Sequence, residues 1–173
     1  MLGIGVLILR AVVGLTVAAH GAQKLFGWFG GPGLKGFAGT LGQLNIRPAP
    51  LWAVVAGLAE FLGGLALALG LVTPLAAYAI AGSMLVAIAT VHLSRGFWNH
   101  NGGFEFPLTI LASVVAIALA GPGAYSLDRW LAISLPEPLT LIVGAAVVVA
   151  GVLAALAGRA SARTMSAARP QTT

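Results

Sequence analysis

Five long runs of apolar residues, roughly 2–22, 51–71, 74–93, 106–122 and 138–158, constrain this chain more than anything else in it. A helix needs about 20 mainly apolar residues to cross ~30 Å of hydrocarbon at 1.5 Å per residue, and each run comes close to that length. No water reaches the backbone inside a bilayer, so each run must satisfy its own N–H and C=O groups, and a helix does so. Composition agrees, because 59% of the residues are hydrophobic and only 8% charged, against about 25% charged in an ordinary soluble domain. Too little polar surface exists to coat a water-soluble globule. The expected fold is therefore an all-α integral membrane helical bundle surrounded by the lipid bilayer.

The connections refine that picture. Leu71-Val72-Thr73-Pro74 is too short for anything but a tight turn, with the proline placed to begin a helix, so the second and third runs should be antiparallel neighbours. In the loop 23–50, Leu34, Phe37, Ala38, Leu41 and Leu44 recur at helical spacing after a Gly30-Gly31-Pro32-Gly33 break. That stripe is too short to span, and it fits an interfacial or re-entrant helix or a loop helix packed on the end of the bundle. Ser126 is placed to cap a short helix carrying Asp128 and Arg129. Gly144, Gly151 and Gly158 lie seven apart on the last run, a stripe that lets another helix approach closely and leaves room for a homo-oligomer.

Ala18, Ala19 and Ala22 loosely suggest a signal-cleavage region. No positive segment precedes the apolar run, however, and Arg10 interrupts it, so it is expected to stay as the first span. Lys24, Lys35, Arg47, Arg95, Arg159, Arg163 and Arg169 fall on one side of a five-span topology and only Arg129 on the other. The bias expects a multi-pass plasma-membrane protein with its N-terminus outside and its C-terminus in the cytoplasm. Residues 159–173 then form a basic tail, expected to be disordered.

The chain has no cysteine, which excludes disulfides, thiol chemistry and thiolate-bound metals. The scattered basic residues make no nucleic-acid footprint. No metal-ligand pattern or nucleophile motif stands out, and the Gly30–Gly33 stretch lacks the strand and helix that a phosphate loop needs. Chemistry must rest on the few ionisable residues within the apolar runs. A charge at mid-bilayer costs about 2.5–3.5 kcal/mol and should not face lipid. Arg10 lies ~12 Å into the first run and Glu60 ~14 Å into the second from the other side, which brings them to one depth as a buried ion pair. His20 and Lys24, four apart on the first helix, fall at the same end of the bundle as His92 and Glu105, beside Asn99, His100 and Asn101. A haem held between His20 and His92 is not expected, since interface residues follow His92 at once.

These same residues carry a resemblance. Arg10, Gly14, His20-Gly21 and Lys24, then Glu60, Gly63-Gly64 and Gly70, then Gly96-Phe97-Trp98 through Asn101-Gly102-Gly103 to Glu105, and finally Gly121-Pro122-Gly123 and Ser126-Leu127-Asp128 resemble the DoxX family of small bacterial membrane proteins. The similarity spans roughly residues 3–132 and implies a four-helix unit at 1–132, to which a fifth span at 133–158 is added. It also implies a subunit of a quinone-linked oxidoreductase or oxidative-stress system. In that scheme Arg10, His20, Lys24, Glu60, His92, Asn101 and Glu105 surround a quinone head group, with Glu60, Glu105 and His20 exchanging protons. A scaffold that docks soluble redox enzymes at the membrane, or a small-solute transporter, are the alternative readings.

Overall fold

The computed structural model describes residues 1–167, and these contain seven α-helices and no strand. They are α1 Leu2–Phe26, α2 Gly33–Gln43, α3 Ala49–Leu69, α4 Thr73–Ala87, α5 Glu105–Ala120, α6 Leu127–Trp130 and α7 Leu139–Ala167. A π-helical turn, Ile88–His92, and a 3-10 turn, Leu93–Arg95, prolong α4. By length and hydropathy α1, α3, the extended α4 and α7 can each cross a membrane. α5, with 16 residues, reaches ~24 Å. Ile8, Val12 and Leu15 of α1, Leu58 and Leu62 of α3, and Val149 and Leu153 of α7 all point outward. Such apolar outer faces suit lipid, and the molecule is a helical membrane bundle. Helix α7 continues past Arg159 into the stretch expected to be a disordered tail, while residues 168–173 lie outside the described ones.

Four helices share one core. Val13 and Val17 of α1, Leu67 of α3, Ile80 and Met84 of α4, and Ile110, Val114 and Ile117 of α5 are buried together. Helix α7 stands outside this unit and packs on α4. The first-loop stripe folds as α2, whose Leu41 joins Ile46, Ala49 and Ala53 in a second cluster over the first turns of α3.

The closest contact is between α1 and α3, where glycines let backbone meet backbone. A Cβ added at Gly14 would lie 2.6 Å from both the Gly64 oxygen and the Ala68 nitrogen, and one at Gly64 would lie 2.9 Å from the Ala18 Cα. No side chain fits there. Gly21 faces the Phe61 backbone in the same way, one step further along the pair. This sets the register and overturns the expected Arg10–Glu60 ion pair. Glu60 lies at the level of Gly21, and Arg10 is eleven residues back along α1, roughly 17 Å away. The depth count failed because α3 starts beyond the end of α1, with its first turns against α2 rather than α1.

Arg10 instead joins the opposite end of the bundle. Its guanidinium lies against Gly70 and donates from Nη2 to the Tyr125 carbonyl. Gly70 (φ 67) ends α3 in the left-handed conformation, and the Leu71 N–H bonds back to the Ala66 carbonyl at 2.8 Å. The next residue but one, Val72, is also left-handed (φ 41), which is rare for a β-branched side chain. Asp128 of α6 holds this turn: its carboxylate accepts the N–H groups of Val72 (2.6 Å) and Thr73 (2.9 Å) and the Thr73 hydroxyl (2.7 Å). Its own N–H donates to the Gly70 carbonyl at 2.8 Å. A carboxylate at the start of α4 also meets the positive end of the helix dipole. Ser126 caps α6 as expected, its Oγ accepting the Arg129 N–H at 3.1 Å.

The glycine interface gives a direct test. Gly64→Val should cost about 1–3 kcal/mol or more through overpacking and lower the unfolding temperature of the purified protein in detergent. Gly39→Ala, on α2 where nothing lies within 4 Å, should leave it unchanged or slightly raised.

Candidate functional site

The α1–α3 register carries Lys24 to Glu60. The Lys24 ammonium forms a salt bridge to Oε1 of Glu60, and the same oxygen accepts the Ser83 hydroxyl of α4 at 2.6 Å. Glu60 is fully buried, while the Lys24 side chain keeps 24% exposure and lies over the Phe37 ring of α2, 5.1 Å from its centroid. Three spanning helices and the first-loop helix thus meet at one carboxylate. Glu60 Oε2, also buried, has no hydrogen-bond partner among the described residues. An acceptor left unpaired in that setting has spare capacity for a proton or a donor.

Beside this node lies a cavity of about 780 Å³, bounded by α2, α3, the extended α4 and α7. Its volume falls within the ~300–1,000 Å³ usual for small-molecule sites. The walls are mostly apolar; Lys24, Thr90 and His92 make the half toward His92 the more polar end, Ser83 lies near mid-length, and Tyr78 and Thr140 stand toward the other end. Thr90, Val91 and His92 are consecutive yet all line the cavity, because the π-helical turn at Ile88–His92 displaces the regular 3.6-residue spacing.

His92 is held by the loop that follows it. Its Nδ1 lies 2.7 Å from the Gly102 carbonyl, which can only accept, so Nδ1 carries a hydrogen and Nε2 is left for other partners. Gly102 (φ 76) adopts a conformation that favours glycine, and Gly103 packs against the Phe97 backbone. Phe104 and Glu105 donate their N–H groups to Gly96 (3.0 Å) and Phe97 (2.9 Å). The Gly96–Glu105 segment is thus a folded clip whose carbonyl fixes one ring nitrogen of His92.

The structure divides the residues expected to form one site. Lys24 and Glu60 pair, and Lys24 and His92 both line the cavity, with His92 nine residues along α4 from the Ser83 that meets Glu60. His20 does not join them. Its ring faces outward from α1, against Phe106 of α5 at 5.5 Å between centroids. Glu105 braces the clip by accepting the Asn99 N–H at 2.9 Å, and Asn101 is exposed in the clip itself. Arg10 belongs to the α6 end. Ser83, Thr90, Trp52 and Tyr78 line the cavity without having been singled out from the sequence. Ser83 was accessible by counting: it lies as far beyond the Leu71–Val72 turn as Glu60 lies before it, so the hairpin sets them opposite.

A family model described as DoxX matches residues 5–93, which covers α1 to α4 and its extension. The inner membrane protein YqjF of Escherichia coli is 33% identical over 69% of this chain and 92% of its own length. "Putative oxidoreductase CatD" of Bacillus subtilis is 31% identical over 72% of this chain and 85% of its own. "Uncharacterized membrane protein Rv3486" of Mycobacterium tuberculosis is 30% identical over 72% and 79%, respectively. No solved structure matches the chain.

A buried ion pair adds little net stability, but removing one partner strands the other in hydrocarbon at about 3–5 kcal/mol. Lys24→Met should therefore lower the unfolding temperature markedly, whereas the double variant Lys24→Met with Glu60→Leu should recover most of the loss. A double variant no more stable than the single one would show that the pair is not coupled.

Proposed function

Because the chain belongs to the DoxX family of membrane proteins, we propose that it is a membrane component of a quinone-linked oxidoreductase system, with the polar end of the cavity as the quinone head-group site. The observation that carries this reading is the cavity itself, long and mainly apolar, with a few hydrogen-bonding groups, among them Lys24, Ser83 and His92, in its wall. A quinone is built the same way. The name of the Bacillus subtilis relative points to redox chemistry in that protein and is a reason to favour this ligand class.

The fit is chemical as well as steric. Bound at this end, a quinone would supply a two-electron, two-proton couple that the side chains of a cysteine-free chain lack. The Lys24 ammonium has N–H groups beyond the one used on Glu60, and these are the donors for a carbonyl oxygen. His92 Nε2 accepts in the neutral ring and donates in the cationic one. Glu60, tied to Lys24 and Ser83 through one oxygen and unpartnered at the other, is the group that holds or passes a proton. The apolar walls lower the local dielectric around these groups and strengthen each interaction. Electrons would arrive from a soluble redox partner docking at the α2 end, where Lys35, Arg47 and Arg95 are exposed.

The same basic end sets the orientation in this reading, with the α2 end and the C-terminus in the cytoplasm of the bacterial plasma membrane. A fluorescent protein fused after Thr173 should be bright and an alkaline phosphatase fusion there inactive. An active phosphatase fusion would reverse the assignment.

Trp52 lines the cavity and reports on binding. Short-chain ubiquinone or menaquinone analogues should quench tryptophan fluorescence saturably in detergent or nanodiscs, and Trp52→Phe should remove most of that signal. Lys24→Gln should weaken binding about tenfold, the loss of one charge-assisted hydrogen bond of ~1.4 kcal/mol, and Ser83→Ala by less. No saturable quenching by either head group would sink the quinone reading.

A further inference from the structure

Helix α7 leaves the membrane beside the loop that leads into α3, and two arginines come together there. The apolar stretch of α7 from Leu139 to Arg159 is 21 residues long, about 31 Å of helix, and Arg159 is its first charge. Helix α3 also has 21 residues and begins at Ala49, which puts Arg47 just outside the same edge of the bundle. A direct contact joins the two counts. An added Cβ at Gly158 would lie 2.5 Å from the Arg47 carbonyl oxygen and 3.5 Å from the Arg47 nitrogen, so the chain at Arg47 touches α7 one residue before Arg159. Both arginines thus stand where hydrocarbon gives way to head groups, on backbones in contact.

No carboxylate answers them. The chain has four acidic residues. Glu60 is buried against Lys24, Glu105 accepts the Asn99 N–H in the clip, and Asp128 holds the turn before α4 at the opposite end of the bundle. Glu137 stands at that opposite end too, near Asp128 and two residues before α7 begins. Arg47 is exposed and makes no salt bridge among the described residues. Arg159 is half-buried, and its guanidinium makes one long contact, from Nη1 to the Ala89 carbonyl of the π-helical turn at 3.4 Å. Its Nε is buried with no partner among the described residues, although a guanidinium carries five N–H donors. Like charges on touching backbones repel, and a buried donor without an acceptor is costly. An anion held by both side chains removes the two penalties together. The anion at this depth of a membrane is the phosphodiester of a phospholipid, whose oxygens suit the paired N–H groups of arginine.

We propose that Arg47 and Arg159 form a site for the phosphate of an anionic phospholipid in the leaflet at the α2 end, and that this lipid fastens α7 to the four-helix unit. Helix α7 is the span most in need of a fastening, with 11% of its apolar window buried against 28–33% for α1, α3 and α4. The head group bridges the two arginines from outside, and its acyl chains stay in the surrounding leaflet. A zwitterionic head group brings its own cation toward the second arginine, so the site selects lipids of net negative charge. The inference is independent of the quinone reading and uses none of Lys24, Glu60 and His92.

The test uses the full-length protein in detergent, to which dioctanoyl phosphatidylglycerol, dioctanoyl phosphatidylcholine or inorganic phosphate is added. Binding is read by native mass spectrometry and by the unfolding temperature. Wild type should take up phosphatidylglycerol saturably and unfold at a higher temperature with it, whereas phosphatidylcholine should bind more weakly and inorganic phosphate should give no shift. Arg47→Gln and Arg159→Gln should each weaken phosphatidylglycerol binding about fivefold, the worth of one basic residue at an anionic surface, and Lys35→Gln, exposed on α2, should leave it within about twofold. Should Arg159→Gln fail to fold, Arg47→Gln decides alone, since that side chain is exposed. Equal binding of the two lipids, or a loss in Lys35→Gln as large as in the arginine variants, would reduce the effect to general surface attraction and overturn the site. A shift reproduced by inorganic phosphate would assign the pair to a free anion and overturn the lipid.

Discussion

A carboxylate buried among apolar helices must be compensated by protein, because lipid offers it nothing. Glu60 meets that requirement by drawing Lys24 from α1 and Ser83 from α4 onto one oxygen, and much of the bundle follows from the meeting. Lys24 can reach only if α1 and α3 lie close enough for their backbones to touch, which is what Gly14, Gly21 and Gly64 permit. Ser83 can reach only if the α3–α4 hairpin keeps its register. The ion pair, the glycine contact and the tight turn are therefore mutually dependent, and the cavity adjoins the place where they converge.

The far end of the α3–α4 hairpin has a polar node of its own, with a different task. Asp128 binds the backbone of a turn containing a left-handed valine, and Arg10 fills the space over Gly70. Every Asp128 contact is spent on main-chain or hydroxyl groups of the fold, so its carboxylate acts as a clamp, although Nε and Nη1 of the buried Arg10 beside it have no partner among the described residues. At the Glu60 end one carboxylate oxygen is unspent, a histidine is held by one ring nitrogen only, and a large cavity adjoins. The apolar core of α1, α3, α4 and α5 lies between the two and keeps them apart.

How much of this was legible in the residues depended on the length of the connections. The turn between α3 and α4 is so short that counting outward from it places Ser83 opposite Glu60, and Gly63 beside Ile80 in the same register. Between α1 and α3 lie more than twenty residues and an extra helix, so nothing local sets their relative height, and the expected pairing of Arg10 with Glu60 was wrong by roughly three helical turns. His20 and Lys24, four apart, share one end of α1, yet Lys24 leans toward α3 and His20 toward Phe106 of α5. Asn101 and Glu105 looked like ligands by their place in the chain. They proved to be parts of the clip that holds His92.

The sequence by itself determined that the chain is a helical membrane bundle, where its helices begin and turn, and which few polar residues would have to be compensated. Those properties follow from run length, hydropathy and local backbone preference, and each acts within a few residues. Only the tertiary structure decided which charges meet, that α7 borders an open cavity against α4, and that a π-helical turn brings Thr90, Val91 and His92 to its wall together. These depend on the relative height and spacing of helices joined by long connections. Close contact between helices, glycine against backbone, fixes those quantities, and no single helix carries that information alone.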